Sequence, residues 1–447
     1  MTDGTSAVER RAIEALDVDG LVALLSDLIA IPSLDGAETS AQRRVASWME
    51  AEGFQTDVWS VDLEGLARHP DWCHEVERDE ALGVVGWIGE PASRDAGRDL
   101  LLNGHIDVVP VGDEAAWTGT PWDAAVRNGR VYGRGAADMK GGLCCALFAA
   151  KALRDAGVRL SGRLSVASVV GEEDGGTGTL ATLVRGHTAD GAVVMEPTRL
   201  HVVPAQAGSL MFRLVVHGRS AHGCVREEGV SAVEGFMPLL AALRRLEAER
   251  CDVAPASPDA GDAEASPGRA GVAGDPRSPL FAGYRLPWPI EVGTVRAGDW
   301  ASSVPDTLVA EGRYGIAVGE DVAAARRAFE EAIARAAAAD PWLAGHPPEI
   351  EWWGGRFDPA VTDPEDPVVT AVSAAVTAVT GAAPVLEGVP YGSDARLLVN
   401  VGHIPTVLFG PGNVRVAHMP DEHVPLTDLE TAARCLIVAA TRFCGVG

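Results

Sequence analysis

Apolar residues recur at helical spacing from Val8 to Phe54, in LVALLSDLIAI and again in AQRRVASWMEAEGF, with the polar loop PSLDGAETS between them. The spacing predicts two helices there. Short β-rich apolar runs then alternate with helical stretches: DLLLNGHIDVV, the helical GGLCCALFAAKALRDAG, RLSVASVVGEE and GAVVMEPT. Such alternation predicts an α/β sheet with helices on both faces. Beyond Pro204 the texture changes. SLMFRLVVHG reads as a strand, VSAVEGFMPLLAALRRLEAER as a long amphipathic helix, EVGTVR and DTLVAEGRYGI as strands, and DVAAARRAFEEAIARAAAAD as another helix. This β-α-β-β-α order closes on itself as a small α+β two-layer sandwich, with EIEWWG available to complete it. After Asp363 the first texture returns in PVVTAVSAAVTAVTG, the strand IPTVLFGPG and the closing helix DLETAARCLIVAATRF.

The expected organisation is an α/β domain over 1–205 and 358–447, interrupted by the smaller α+β domain over 206–357. From Cys251 to Pro289 the chain is rich in Pro, Gly, Ala, Asp and Ser and too poor in apolar residues to offset its ordering entropy. A flexible insertion is expected over 252–287.

Composition narrows the classes of partner. With 63 acidic and 37 basic residues the formal charge is −26, so binding to a phosphate backbone is not expected. Seven scattered cysteines with no CxxC pair do not resemble a secreted disulfide framework. The N-terminus is acidic and helical rather than basic then apolar, which leads us to expect a cytoplasmic protein. No apolar run approaches the roughly 18–20 residues of a membrane helix, and no membrane partner is expected.

Chemistry-bearing residues gather at predicted strand ends. In NGHIDVVP, His105 and Asp107 stand two apart, and strand period puts both on one face, where a carboxylate can orient a metal-bound imidazole. Asp138 lies in the Gly-dense turn of YGRGAADMKGG before a helix, a place that also suits a helix cap. Glu172 and Glu173 follow a buried strand in SVASVVGEEDGG and repel unless a cation sits between them or they point apart. Glu196 ends the strand AVVMEPT, and His418 lies in the loop of GPGNVRVAHMPDEHVPL, where Glu422 and His423 read as decoys. Each signal alone has a bland reading as a solvated turn or cap. Their coincidence at one edge of an α/β sheet, where open sheets bind ligands, does not. Two His and three carboxylates suit two zinc-like ions sharing one bridging carboxylate, with a further Glu left over as a base.

The ordered series GHIDVVP, GRGAADMKGG, GEEDGG, MEPT, SAHG and AHMPDEHVP resembles the two-zinc aminoacylase and carboxypeptidase family, which includes acetylornithine deacetylase and succinyl-diaminopimelate desuccinylase. The resemblance runs from IPSL to PDEHVPL. It implies a zinc-peptidase-like catalytic domain interrupted by a lid and dimerisation domain. It also implies two Zn²⁺ per subunit, with Co²⁺ as a substitute. By the same resemblance His105 and Glu196 hold one ion, Glu173 and His418 hold the other, and Asp138 bridges them. Glu172 is then the general base, Asp107 orients His105, and the Asp138–Met139 peptide is cis. His222 in GRSAHG matches an oxyanion donor supplied by a partner subunit, hence a homodimer. Arg313 matches a carboxylate-binding arginine, Ser302 replaces an Asn found in many members, and Ser393 and Asp394 of GSDARLL fall where the family lines its substrate cleft. The implied activity is deacylation of an N-acyl-amino acid. The alternative is a dipeptidase or carboxypeptidase acting on a short peptide. A binding protein that has lost hydrolysis is a third reading, opposed by the presence of Glu172.

Overall fold

The structure, a computed structural model, describes residues 4–92, 97–251 and 278–447. By internal contacts the chain separates into two compact units. The first comprises Met1–Pro204, Val361–Leu386 and Ser393–Gly447, and the second Ala205–Ala360 and Glu387–Gly392. Among the described residues no helix is long and apolar enough to cross a membrane.

In the first unit, four central strands run parallel in the spatial order Leu164–Val169, Leu100–His105, Gly191–Val194, Thr406–Leu408. The antiparallel strands Leu82–Ile88 and Gln55–Ser60 extend the sheet beyond Leu164–Val169. Leu164–Val169, Leu100–His105 and Gly191–Val194 are buried at every position, as expected of parallel strands covered on both faces. Alternation along Leu100–His105 shows what covers each face. A Cβ at Gly104 would lie against Leu143 of the helix Gly141–Asp155, while Asn103 on the opposite face donates to Thr179 of the helix Thr177–Arg185.

Leu100–His105 is also where the winding reverses, because the next parallel strand in the chain lies on one side of it and the following one on the other. Ligand sites of open α/β sheets form at the carboxyl ends of strands at such a reversal. His105 ends that strand, Glu172 and Glu173 follow Leu164–Val169, and Glu196 follows Gly191–Val194.

Three helices, not two, occupy the N-terminal stretch: Ala7–Glu14, Val18–Ile29 and Thr39–Ala51. The apolar period runs through the first break, but the Asp17 carboxylate accepts the Gly20 N–H and starts a new helix there.

The second unit is an antiparallel sheet in the order Ile290–Ala297, Thr307–Ile316, Gly208–His217, Glu349–Phe357. Leu210, Phe212, Leu214 and Val216 alternate toward the helices Ala232–Cys251 and Val322–Ala338 and share one core with Phe236, Leu239, Tyr314 and Phe329. The other face is charged, with Arg213 paired to Glu311 at 2.9 Å and to Glu351 at 2.6 Å. A two-residue ladder, His222 opposite Ser303 and Ala221 opposite Val304, forms a separate arm.

Of the expected insertion, 252–277 lies outside the described residues, and Ser278–Phe281 forms a short 3₁₀ turn. Glu387–Gly392, placed by the sequence pattern with 358–447, groups instead with the second unit. Gly388 packs against the Phe281 ring, and the Pro390 carbonyl accepts from Arg313 at 3.2 Å.

Phe212 is fully buried, with its ring 4.8 Å from that of Phe329. Phe212→Ala is expected to cost about 3–5 kcal/mol, and Arg213→Ala, on the charged face, under about 1 kcal/mol, both read from urea unfolding. Equal losses at the two positions would contradict the sidedness of this sheet.

Candidate active site

His105 reaches the site from the end of its strand, and its ring is fixed at both nitrogens. Nδ1 lies 3.0 Å from the main-chain carbonyl of Asp107, and Nε2 lies 3.2 Å from Asp138 Oδ1. The expected orienting contact therefore runs to the Asp107 carbonyl, whereas its carboxylate Oδ1 stands 3.8 Å from Nδ1. The strand ends at His105, so strand period no longer governs where the Asp107 side chain points. Asp107 Oδ2 instead accepts the Glu173 N–H at 3.0 Å, tying two strand ends together.

Asp138 stands at the centre. Its Oδ1 faces His105, and its Oδ2 faces His418 Nε2 at 3.5 Å; His418 Nε2 also lies 3.1 Å from Glu173 Oε1. The Asp138–Met139 peptide is cis. The turn before the helix Gly141–Asp155 can approach the Glu196 segment because of Gly142, where a Cβ would fall 2.2 Å from the Met195 carbonyl oxygen. Beneath the turn, Lys140 Nζ donates to the carbonyls of Leu28 at 2.8 Å and Ile31 at 3.2 Å, and burial brings its ammonium down to about 7.

His105, Asp138 and Glu173 present ligand atoms that all lie within 4.8 Å of one another. Glu172 and Glu196 are buried beside them. Burial, reinforced by Glu196, pushes the Glu172 carboxyl well above its ordinary range, and burial with Asp138 does the same to Glu196. Burial opposes the charged form of His418, but Glu173 and Asp138 outweigh it and raise the imidazole to about 9. Carboxylate and imidazole donors converge here within 4.8 Å of one another, and a divalent cation fits such a donor set. Among the described residues the Glu172 carboxyl makes no hydrogen bond to protein, unlike Glu173 and Asp138.

Residues 101–442 match the peptidase family M20/M25/M40. The chain belongs to that family. Its members are metal-dependent, and it is a hydrolase acting on amide bonds. It is 29% identical to the N-formyl-4-amino-5-aminomethyl-2-methylpyrimidine deformylase of Halalkalibacterium halodurans, over 95% of this chain and 94% of that protein. It is 27% identical to the succinyl-diaminopimelate desuccinylase of a Bradyrhizobium species, over 91% of this chain and 95% of that protein. Its fold is similar to that of the dipeptidase Dug1p from Saccharomyces cerevisiae, with a TM-score of 0.74 and 15% identity, covering 98% of each chain.

The remaining sequence-derived residues of this M20 chain divide between its two units, with Ser393 and Asp394 in the first. His222, Ser302 and Arg313 belong to the second unit. His222 is exposed, and its Nδ1 accepts the Cys224 N–H at 3.1 Å. Ser393 is fully buried, and its hydroxyl accepts the Ala395 N–H at 3.2 Å at the start of a helix. Asp394 next to it is also buried; it accepts from Thr179 at 2.6 Å, and burial raises its carboxyl to about 6.

Glu422, read from sequence as a decoy, is a buried support. Its Oε1 accepts the N–H groups of Ala137 at 3.0 Å and Asp138 at 3.1 Å, and its Oε2 pairs with buried Arg134 at 2.5 Å. Arg134 also donates to the Pro110 carbonyl at 3.1 Å, so one ion pair ties the segments that carry His105, Asp138 and His418. Nothing in a single sequence separates Glu422 from its exposed neighbours. Glu422→Ala strands a buried guanidinium and is expected to cost about 3–5 kcal/mol, while Glu430→Ala, which breaks an exposed pair with Arg434, costs under about 0.5 kcal/mol. Thermal unfolding of the metal-free protein measures both.

Proposed function

We propose that the chain is a deacylase that, with two divalent ions bound, zinc or cobalt, hydrolyses the amide of an N-acyl-amino acid to a carboxylic acid and a free amine. The observation that carries this reading is Asp138 with an imidazole facing each carboxylate oxygen, beside a buried Glu172 whose carboxyl is otherwise unengaged. In this reading His105 and Glu196 hold one ion, Glu173 and His418 hold the other, and Asp138 stands between them. Bound there, such ions supply an acidified water and a polarised amide carbonyl at neutral pH. Glu172 takes a proton from the attacking water and returns it to the amide nitrogen as the C–N bond breaks.

The second unit supplies recognition. Because His222 Nδ1 accepts a main-chain N–H, the neutral ring carries its proton on Nε2, which makes it a donor suited to a developing oxyanion. Ser302 is joined to the same tip, its carbonyl accepting the Gly223 N–H at 2.7 Å, and takes part in substrate contact. Arg313 has no acidic partner among the described residues and is half-buried, which suits a guanidinium that holds a substrate carboxylate. A homodimer forms through this unit. Ile290–Ala297 is an edge strand with exposed Val295, and the helix Ala232–Cys251 exposes Val233 and Met237 one turn apart. All seven cysteines are free, in keeping with a reducing cytoplasm.

The deformylase and the desuccinylase are named for removing acyl groups, which favours acyl-amines over peptides as substrates. The test is a turnover panel of N-formyl, N-acetyl and N-succinyl amino compounds against dipeptides, on protein loaded with zinc or cobalt. At least about tenfold preference for acyl-amines, a difference of some 1.4 kcal/mol in transition-state binding, is expected. The opposite preference establishes the peptidase alternative. Chelation should abolish activity, and either ion should restore it. Glu172→Gln should keep its metal content by elemental analysis yet lose about 10³-fold or more in kcat. Val295→Asp should give a monomer by sedimentation with strongly reduced turnover; a fully active monomer would remove His222 from the partner's reaction.

A further inference from the structure

The loop carrying Glu172 and Glu173 is gripped from behind by a residue outside the reaction described above. Arg78 lies between the strands Gln55–Ser60 and Leu82–Ile88, and its side chain is 2% exposed. Its Nη1 donates to Asp174 Oδ2 at 2.7 Å, and its Nε and Nη2 donate to Glu38 Oε1 at 3.1 and 2.9 Å. Nη2 also reaches Asp35 Oδ1 at 3.3 Å. The same Asp174 oxygen accepts the Val76 N–H at 3.0 Å, so the Arg78 segment holds this carboxylate through side chain and main chain together.

Asp174 follows Glu173 directly, and Gly171 precedes Glu172 directly. Gly171 has φ +66°, and a Cβ there would fall 2.6 Å from Arg78 Nη2, so the guanidinium packs against that glycine. Arg78 therefore touches the chain on both sides of the Glu172–Glu173 pair. It is also the cation shared by Asp35, Glu38 and Asp174, a second tier of acids behind Asp107 and Glu173. A planar guanidinium presents its N–H groups to these carboxylates from one fixed plane whose face can also pack on a glycine, a geometry that a point-like ammonium does not offer.

We propose that Arg78 is a positioning residue for the hydrolytic site: by holding Asp174 and packing on Gly171 it sets the direction of Glu172 and Glu173 and offsets the acids behind them. This rests on the metal-dependent reading of the site, and its test reads metal binding as well as turnover. Misplacing a reacting group by about 1 Å costs about 10²-fold, so Arg78→Met should lower kcat by about that factor with KM changed less than about threefold. Supporting groups around metal ligands are worth about 10–100-fold in affinity, so cobalt titration of the metal-free variant, followed by visible absorption, should show weakened binding of one ion and an altered spectrum.

Asp174→Asn keeps the shape and tests the same contact if Arg78→Met does not fold; about a tenfold fall in kcat is expected, since an amide oxygen retains one neutral hydrogen bond in place of the charged one. In a double-mutant cycle Arg78→Met with Asp174→Asn should resemble the worse single variant, because both remove one contact. Wild-type kcat and cobalt spectrum in either folded single variant would overturn the proposal, as would losses that multiply in the double variant. A wild-type protein that binds cobalt but hydrolyses no acyl-amine or dipeptide would sink the parent reading, and the cobalt titration would then decide the role of Arg78.

Discussion

Negative charge concentrated at one edge of a parallel sheet is the constraint on which the first unit depends. Asp107, Glu172 and Glu196 are buried, and Asp138 and Glu173 are 12% and 10% exposed at the side chain. Carboxylates so close in a medium of low polarity repel strongly, and a chain that gathers them must supply opposing charge or lose stability. Two imidazoles flank Asp138, and the family to which the chain belongs is metal-dependent. The protein's own cations stand one layer back, where Arg134 holds Glu422 and Arg78 holds Asp174 and Glu38.

Backbone geometry explains why this charge can be gathered at all. Strands buried on both faces end at a common edge, and two of the ligand-bearing segments are rich in glycine, GEEDGG after Leu164–Val169 and GRGAADMKGG at the start of the helix Gly141–Asp155. At Gly142 and Gly171 a side chain would strike a neighbouring carbonyl or guanidinium, so the close approach of the ligand-bearing turns depends on the missing Cβ. Hydrogen bonds then lock the turns to each other: the Asp107 carboxylate takes the Glu173 N–H, and Glu422 takes those of Ala137 and Asp138. Hydrogen bonds from main-chain N–H groups to carboxylates are charge-assisted and stronger than neutral ones.

The second unit solves a different problem. One face of its sheet is a core of alternating apolar side chains, and the other is a ladder in which Arg213 sits between Glu311 and Glu351. Two places later on the same strand as Glu311, Arg313 has no such partner among the described residues. Its guanidinium is half-buried and donates instead to the Pro390 carbonyl at 3.2 Å.

Local pattern in the chain determined the element types, the two textures and the strand-end positions of His105, Glu172, Glu173 and Glu196, because period and turn chemistry act over a few residues. The first break in the N-terminal helices escaped it, since the apolar period continues through Asp17 while the cap does not. Tertiary structure alone decided which atom of Asp107 meets His105, that Ser393 is buried, that Glu387–Gly392 joins the second unit, and that Glu422 and Arg78 are supports. Each of these depends on a contact between segments far apart in the chain, as between Arg134 and Glu422 or Arg78 and Asp174, and no local period encodes which distant polar atom a buried charge will find.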